Sequence, residues 1–498
     1  MYRCKTFILL VLSLTTFPLT IFAQSEELSD VYAYLHAELN SASETKCAQI
    51  AKKNNQWQVF VFEIDKPNQG QLFPLDLKSQ NKLPDKILDA NLTKYNAYDE
   101  RMLGLYENYG YPGYFLDNIK AYSSRRELSD DELYALGRNY SALYANFAGN
   151  SYAGGVLEEL TFQNPSKLPG NLSINQLAIL DSVFQLCIQS FEKLYVRNPN
   201  YKTYIGSIET KLGNEYLYHY MTLNMLHSES EAVLRLKKDL YSVHQRNFGA
   251  NILECCPKNS ILITGGDIDT YLCLYMQKVY GLRTDVAIIC DALIGSTNYV
   301  RSINYHKVLA LNFINDRTSP IEYLKTTESK EPLKLKDWLK IVKRDDLDAF
   351  FELPRKVYLN DSFLLVLPDT IFAKNIHYLD IYNSYFGDRP ICSSGQVLAL
   401  KEMQSFYAPR ALVFHLKNKE LDLVNDKDQI LNINEECIRK LQHKLGTPFL
   451  SSDVMYKRYY GHAYQIMIAL YEMYDEDDKL KDFIESTEPI YKFYGFSY

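Results

Sequence analysis

Several patterns that would announce a chemistry are missing from these 498 residues. No Cys-x-x-Cys pair and no His-Glu-x-x-His occurs, which excludes the spacings that hold zinc on a ribbon or a helix. A Gly-x-x-x-x-Gly-Lys loop and a Gly-x-Ser-x-Gly elbow are absent too, so the familiar phosphate cradle and the hydrolase nucleophile are excluded. No basic run appears, and 54 Lys and Arg face 61 Asp and Glu for a net charge of −7; a nucleic-acid partner is not expected. Tryptophan is scarce at 2 residues, whereas tyrosine reaches 41. Tyrosine joins an apolar body to a polar tip, so half-buried packing is expected to take most of them. After the first two dozen residues no stretch approaches about 18 uninterrupted apolar residues, the length a membrane-spanning helix needs.

What is present begins with a leader. Arg3 and Lys5 precede the apolar run Phe7–Leu12, continued by Leu14, Phe17, Leu19 and Phe22, and Ala23 offers a small residue before the polar Gln24-Ser-Glu-Glu27. Residues 1–23 read as a secretory signal, which predicts an exported chain, periplasmic or at the cell surface, without a transmembrane anchor once processed. Eight cysteines follow the leader. Cys273 and Cys290 lie on apolar faces and are expected to be small buried hydrophobes.

Residues 24–128 read as a mixed region. Gln56-Trp-Gln-Val-Phe-Val-Phe-Glu-Ile-Asp65 predicts a strand, and 98–109 and 114–122 predict helices around Gly110-Tyr-Pro-Gly113. Residues 129–250 follow the helical period. Ser173-Ile-Asn-Gln176 fits a capping box, Leu177, Leu180, Phe184, Cys187, Phe191 and Leu194 form one helical face, and Asn198-Pro199 ends it. Ser190-Phe-Glu-Lys-Leu-Tyr-Val-Arg-Asn-Pro199, with Gly206 and Gly213 beyond, resembles the second helix of a tetratricopeptide repeat leading into the next, a family whose paired helices stack into peptide-binding scaffolds.

Residues 251–418 read as an α/β domain organised around Ile261-Leu-Ile-Thr-Gly-Gly-Asp-Ile-Asp-Thr-Tyr271. An apolar strand meets a Gly pair and two carboxylates, a helix-length segment runs to Tyr280, and Asp285-Val-Ala-Ile-Ile-Cys290 supplies a second apolar run. This order predicts a parallel βαβ unit. Ligands of open parallel sheets sit beyond the carboxyl ends of strands, so Gly265, Gly266, Asp267, Asp269, Thr270 and Tyr271 are candidate ligand-binding residues. Helix capping by the Asp and Thr side chains explains the same residues with no ligand at all. Asp267-Ile-Asp269 also resembles the Asp-x-Asp of nucleotide-sugar glycosyltransferases, which implies a metal-assisted alternative.

Gly266-Asp-Ile-Asp-Thr-Tyr271, Tyr275-x-Gln277 and Gly281-Leu-Arg-Thr-Asp-Val286, followed by Tyr299 and Arg301, Tyr378-Leu-Asp-Ile381 and Arg389-Pro-Ile391, together resemble the soluble C-terminal region of multispan bacterial membrane proteins related to protein O-mannosyltransferases. The resemblance covers residues 260–498, adds Tyr299 and Arg301 to the candidates, and implies an accessory domain without transferase activity. Departures stand at Gly265, where the family has Asn, and at Leu272-Cys-Leu274 and Gly295-Ser-Thr-Asn298. Between these motifs, 334–342 predicts a helix, Phe363–Leu367 a buried strand, and Asp380 and Arg389 a charge pair. Residues 419–498 read as a helical hairpin, with Tyr459, Ala463, Ile466, Leu470 and Met473 as the buried stripe.

The expected architecture is thus α/β plus α: repeat-like helices, a parallel-sheet domain and a C-terminal helical hairpin. The expected function is binding, of envelope proteins or of a polar glycan-like ligand, as an accessory to glycan or surface assembly; no catalytic residue, cofactor or resident metal is expected. The alternative is a metal-assisted enzyme acting on a sugar or sugar nucleotide at Gly265–Thr270.

Overall fold

β-Branched and aromatic residues crowd Gln56-Trp-Gln-Val-Phe-Val-Phe-Glu63, which forms a strand as that composition predicts. The computed structural model places it at the centre of an antiparallel sheet of β1 (Lys46–Lys53), β2 (Gln56–Glu63) and β3 (Gly70–Pro74). The structure describes residues 46–53, 56–63, 70–74, 114–149, 162, 172–203, 205–314, 321, 323–344, 351–360, 363–394, 401–422, 424–443 and 454–494; the leader expected at 1–23 and the helix expected at 98–109 lie outside these. The described residues divide into two compact units, one ending at Glu215 and the other beginning at Tyr216.

The helices of the first unit are α1 (Tyr114–Ser123), α2 (Asp130–Phe147) and α3 (Ile174–Arg197), followed by a two-residue hairpin, β4 (Lys202–Thr203) and β5 (Gly206–Ser207), and the first half of α4 (Ile208–Leu226). Ser129 and Ser173 open α2 and α3 with reciprocal capping boxes to Glu132 and Gln176, each satisfying two otherwise orphaned backbone groups. Leu180, Phe184, Cys187, Phe191 and Leu194 are buried as their spacing predicts. A Cβ added to Gly137 on α2 would lie 2.6 Å from the Phe191 ring, so only glycine lets the two helices meet this closely. Inside the unit Lys211 and Glu215 form a buried ion pair, and the Ser141 hydroxyl donates to Glu215 at 3.0 Å.

The second unit contains α5 (Glu229–Leu234), α6 (Val243–Cys255), β6 (Ile261–Thr264), α7 (Thr270–Tyr280), β7 (Ala287–Cys290) and α8 (Thr297–Tyr305). Short segments follow: β8 (Tyr323–Thr327), β9 (Leu333–Lys334), α9 (Leu335–Val342), β10 (Glu352–Pro354), β11 (Lys356–Asn360), β12 (Phe363–Val366) and β13 (Thr370–Phe372). They pair into two three-stranded sheets, β10-β8-β13 and β12-β11-β9. Then come α10 (Ala373–Tyr385), β14 (Ile391–Ser394), β15 (Tyr407–Arg410), β16 (Val413–Leu416), α11 (Lys427–Lys440), α12 (Val454–Met473) and α13 (Asp477–Tyr494).

The main sheet has the order β15-β16-β14-β6-β7. β6 runs parallel to β7 on one side and to β14 on the other, while β16 lies antiparallel to β14. All four residues of β6 and of β7 are buried, the mark of a strand covered on both faces. The βαβ unit is therefore as expected. Helices α6 and α7 approach so closely that a Cβ on Gly249 would sit 2.7 Å from the Leu272 carbonyl oxygen. Backbone cannot swing aside as a side chain can, so Gly249→Ala is expected to destabilise the second unit by about 1–3 kcal/mol, read as a lowered urea midpoint; an unchanged midpoint would show the helices free to part.

The motif residues Gln277, Arg283, Asp285 and Arg389 have structural work at the amino ends of these strands. Gln277 donates to the Arg283 and Val286 carbonyls at 2.7 and 2.8 Å. Arg283 donates to the carbonyls of Leu253, Cys256 and Pro257 and to both oxygens of Asp285. That guanidinium holds the Asp285 carboxyl well below the usual carboxylate range.

Three expectations are corrected. Asp380 and Arg389 do not pair: Asp380 accepts the Asn312 and Phe313 amides, and Arg389 donates to the Asn259, Ser260 and Asp285 carbonyls. Each charge is engaged by backbone groups close to it, whose hydrogen-bonding needs burial makes costly to leave unmet. The strand at Phe363 is not buried throughout; Phe363 and Leu365 are, while Leu364 and Val366 face out. On α12 the buried stripe is Tyr456, Tyr460, Ala463, Tyr464, Met467, Leu470 and Tyr471, and Met473 is exposed. Tyrosine makes the stripe here. Phe248 on α6 packs against Tyr456, Tyr459 and Tyr460, and Tyr460 stacks on Tyr494 of α13.

Candidate functional site

The strand order sets the place to look. From β6 the chain crosses through α7 to β7, then returns past β6 to β14 on its other flank. The order reverses beside β6, and in open parallel sheets the crevice at such a reversal, beyond the carboxyl ends, takes ligands. Here the three parallel strands end at Thr264, Cys290 and Ser394.

Asp269 sits at the reversal and is 1% exposed. One carboxylate oxygen, Oδ2, accepts the Gly265 amide at 2.8 Å, the Ser394 hydroxyl, and the Tyr459 hydroxyl at 3.3 Å. The other, Oδ1, accepts the Gly266 amide at 3.0 Å and the Thr270 amide at 2.9 Å. Five donors converge on one buried charge, which ties β6, α7, β14 and α12 together. Burial, then the nearby Asp269 charge, raises the Tyr459 hydroxyl above its ordinary pKa and keeps it a donor.

The other sequence candidates separate. Thr270 is buried, its hydroxyl 2.7 Å from that of Thr264. Tyr271 is buried as well. Tyr299 is buried and its oxygen accepts the Cys290 amide at 2.9 Å; burial raises its hydroxyl pKa and pushes the Cys290 thiol up to about 11. Gly265, Gly266 and Arg301 are half-buried, and Asp267 is exposed. A Cβ on Gly266 would meet nothing within 4 Å, so open space lies in front of this turn.

Sequence reasoning missed Asp291, Lys374 and Tyr378. Asp291 directly follows β7 and accepts the Tyr378 hydroxyl, with the Lys374 ammonium 3.4 Å from its oxygens. Its side chain is 22% exposed and that of Lys374 47%. Burial, then the Asp291 charge, raises the Tyr378 hydroxyl and leaves it protonated. The strand-end rule that picked Asp269 would also have picked Asp291; Lys374 and Tyr378 come from α10, more than 80 residues away in sequence, and although Tyr378 opens the Tyr378-Leu-Asp-Ile381 motif, nothing local places either beside β7.

The carboxyl edge thus carries one carboxylate consumed by the fold, Asp269, and two that reach solvent, Asp267 and Asp291. Among the described residues no group of three or more His, Cys, Asp or Glu is placed to hold a metal ion, and no helix is long and apolar enough to cross a membrane. Nothing among curated proteins or solved structures matches the chain. Residues 245–384, which hold the βαβ unit together with Asp291, Lys374 and Tyr378, match the family model of TMEM260-associated domain 2, and this part of the chain is similar to that domain.

Proposed function

We propose that this is an exported ligand-binding protein of the bacterial envelope, an accessory to glycan or surface assembly, and that the carboxyl edge of β6 and β7 takes a neutral, hydroxyl-rich ligand. The observation that carries this reading is the solvent-reaching Asp291 with its Tyr378 and Lys374 partners, beside the open Gly266 turn and exposed Asp267. Carboxylates accept sugar hydroxyls and repel phosphates, so a polyol suits the edge better than a sugar nucleotide does. The similarity to TMEM260-associated domain 2, together with the motifs that resemble O-mannosyltransferase-related proteins, supports a glycan setting. Export rests on the leader-like residues 1–23. The metal-assisted alternative loses support because both Asp269 oxygens already accept protein donors.

Screening the full chain on an array of neutral oligosaccharides, followed by calorimetric titration of the retained one, tests the reading. Asp291→Asn is expected to weaken binding by about tenfold or more, since a hydrogen bond to a charged group is worth about 1.5–3 kcal/mol, with the melting temperature nearly unchanged. Retention of no oligosaccharide by the wild-type chain, or equal affinity in the variant, overturns it.

A further inference from the structure

The β15 margin of the main sheet gathers positive charge that its neighbours do not balance. β15 and β16 form a hairpin over Ala411-Leu412, and Asn434 of α11 clamps it: Oδ1 accepts the Ala411 amide at 2.8 Å, and Nδ2 donates to the Pro409 carbonyl at 2.8 Å. Strand alternation then sorts the side chains. Phe414 turns to one face, where its ring meets that of His462 on α12. Arg410, His415 and Lys417 turn to the other and line a recess against Gln429, Ile430 and Ile433 of α11. All three are half-buried. The recess measures about 240 Å³ with its open mouth. Arg410 donates one N–H to the Cys255 carbonyl, and Lys417 reaches Gln429 Oε1 at 3.5 Å. The carboxylates whose charge is felt here, Asp426 and Glu436, pair instead with Lys419 and Lys440. Among the described residues neither Arg410 nor Lys417 has an ion-pair partner. Burial, reinforced by the Arg410 and Lys419 charges, lowers the Lys417 pKa in spite of Asp426; burial, then Lys417 and Arg410, pushes His415 down to about 4.

We propose that this recess binds a phosphoryl group, with Arg410 and Lys417 as its cations and His415 taking up a proton from solvent as the anion enters. Three side chains held together against their own repulsion gain most from an anion placed among them, because one negative charge relieves every like-charge pair at once. A guanidinium fork beside an ammonium offers several N–H donors from different directions, which suits the several oxygens of a phosphoryl group better than a single-atom anion. The enclosed floor is about one water in size, so one oxygen enters it while the others, and any ester they carry, stay at the mouth. Inorganic phosphate, a soluble phosphate ester and the headgroup of an anionic lipid share this chemistry. The recess is separate from the carboxyl edge proposed for a neutral ligand. β15 and β7 are opposite margins of the five-stranded sheet, four strand spacings or about 19 Å apart, so the two ligands do not compete.

The test titrates the full chain with inorganic phosphate at neutral pH, with chloride holding the ionic strength constant, and reads binding by calorimetry and by the imidazole resonance of His415, assigned with His415→Gln. Saturable binding is expected, and with phosphate bound His415 should titrate about one pH unit higher or more. Lys417→Gln should weaken binding about tenfold or more, as the loss of a hydrogen bond to a charged group implies, with its melting temperature in phosphate-free buffer nearly that of wild type. Lys440→Gln, a charge change on the same helix outside the recess, should leave the affinity nearly unchanged. Vesicles of phosphatidylglycerol, with phosphatidylcholine as control, separate the sources. Co-flotation with the first alone, lost in Lys417→Glu, assigns a lipid headgroup; phosphate binding without flotation assigns a soluble phosphate or its ester. No saturable phosphate binding, a His415 titration that phosphate does not move, or equal losses in Lys417→Gln and Lys440→Gln overturn the proposal. Neutral oligosaccharides are absent from every arm, so the result does not depend on the reading of the carboxyl edge.

Discussion

Asp269→Ala is expected to destabilise the second unit by about 3–5 kcal/mol. Removing the carboxylate strands the Gly265 and Gly266 amides, leaves the Thr270 amide only the Gly266 carbonyl, and takes a partner from the Ser394 and Tyr459 hydroxyls. A buried donor left unsatisfied costs about 1–3 kcal/mol, although the donors share one site and their losses do not add. Against a domain stability of about 5–15 kcal/mol, that is a large fraction. Asp269→Asn keeps acceptor capacity on one oxygen only and should fall between. The check is urea unfolding followed by circular dichroism. A wild-type midpoint in Asp269→Ala, with binding lost, would make this carboxylate a ligand group and not a tie.

Acid should act nearly as strongly. His377, His415 and His443 all have pKa values pushed down to about 4, in each case first by burial; neighbouring charges of Lys417 and Arg410 add to it at His415, and His244 at His443. His443 also lies between the Tyr464 and Tyr494 hydroxyls, at 3.0 and 3.2 Å. Each imidazole is neutral when folded and binds a proton more readily when unfolded, at its ordinary 6.5. The stability each contributes is therefore full above pH 6.5 and lost as pH falls from 6.5 towards 4, by about 2 kcal/mol per imidazole at pH 5. Thermal melting from pH 7.5 to 4.5 should show a steep fall below pH 6, and His443→Gln should flatten it. A melting temperature level across pH 7 to 5 would mean the rings are hydrated.

Much of this fold could be read from the chain because period and caps act locally. The Ser173 box and the Asn198 stop each depend on residues within a few positions of one another, and the β6–α7–β7 unit on one short crossover. The short strands between Tyr323 and Phe372 were less legible, since β9 and β10 span only two and three residues and their pairing is decided by partners elsewhere. Tyrosine blurred the α12 stripe, because a residue with both a polar and an apolar part fits either face. At the site, Asp269 was legible as a cap by position. Its further partners Ser394 and Tyr459 lie 125 and 190 residues away, and a distance of that kind leaves no trace in spacing.

The position of β14 beside β6 also bears on how the chain is made. Ile261 pairs with Ala287 soon after both are synthesised, but its other neighbour, Ile391, emerges only 130 residues later. Until then one margin of β6 offers unpaired amides and carbonyls to any passing polypeptide. Closure at such long separation is slow, so nascent copies crowded together are at risk of sticking through this margin, and dilution or a holding chaperone should raise the yield of native protein.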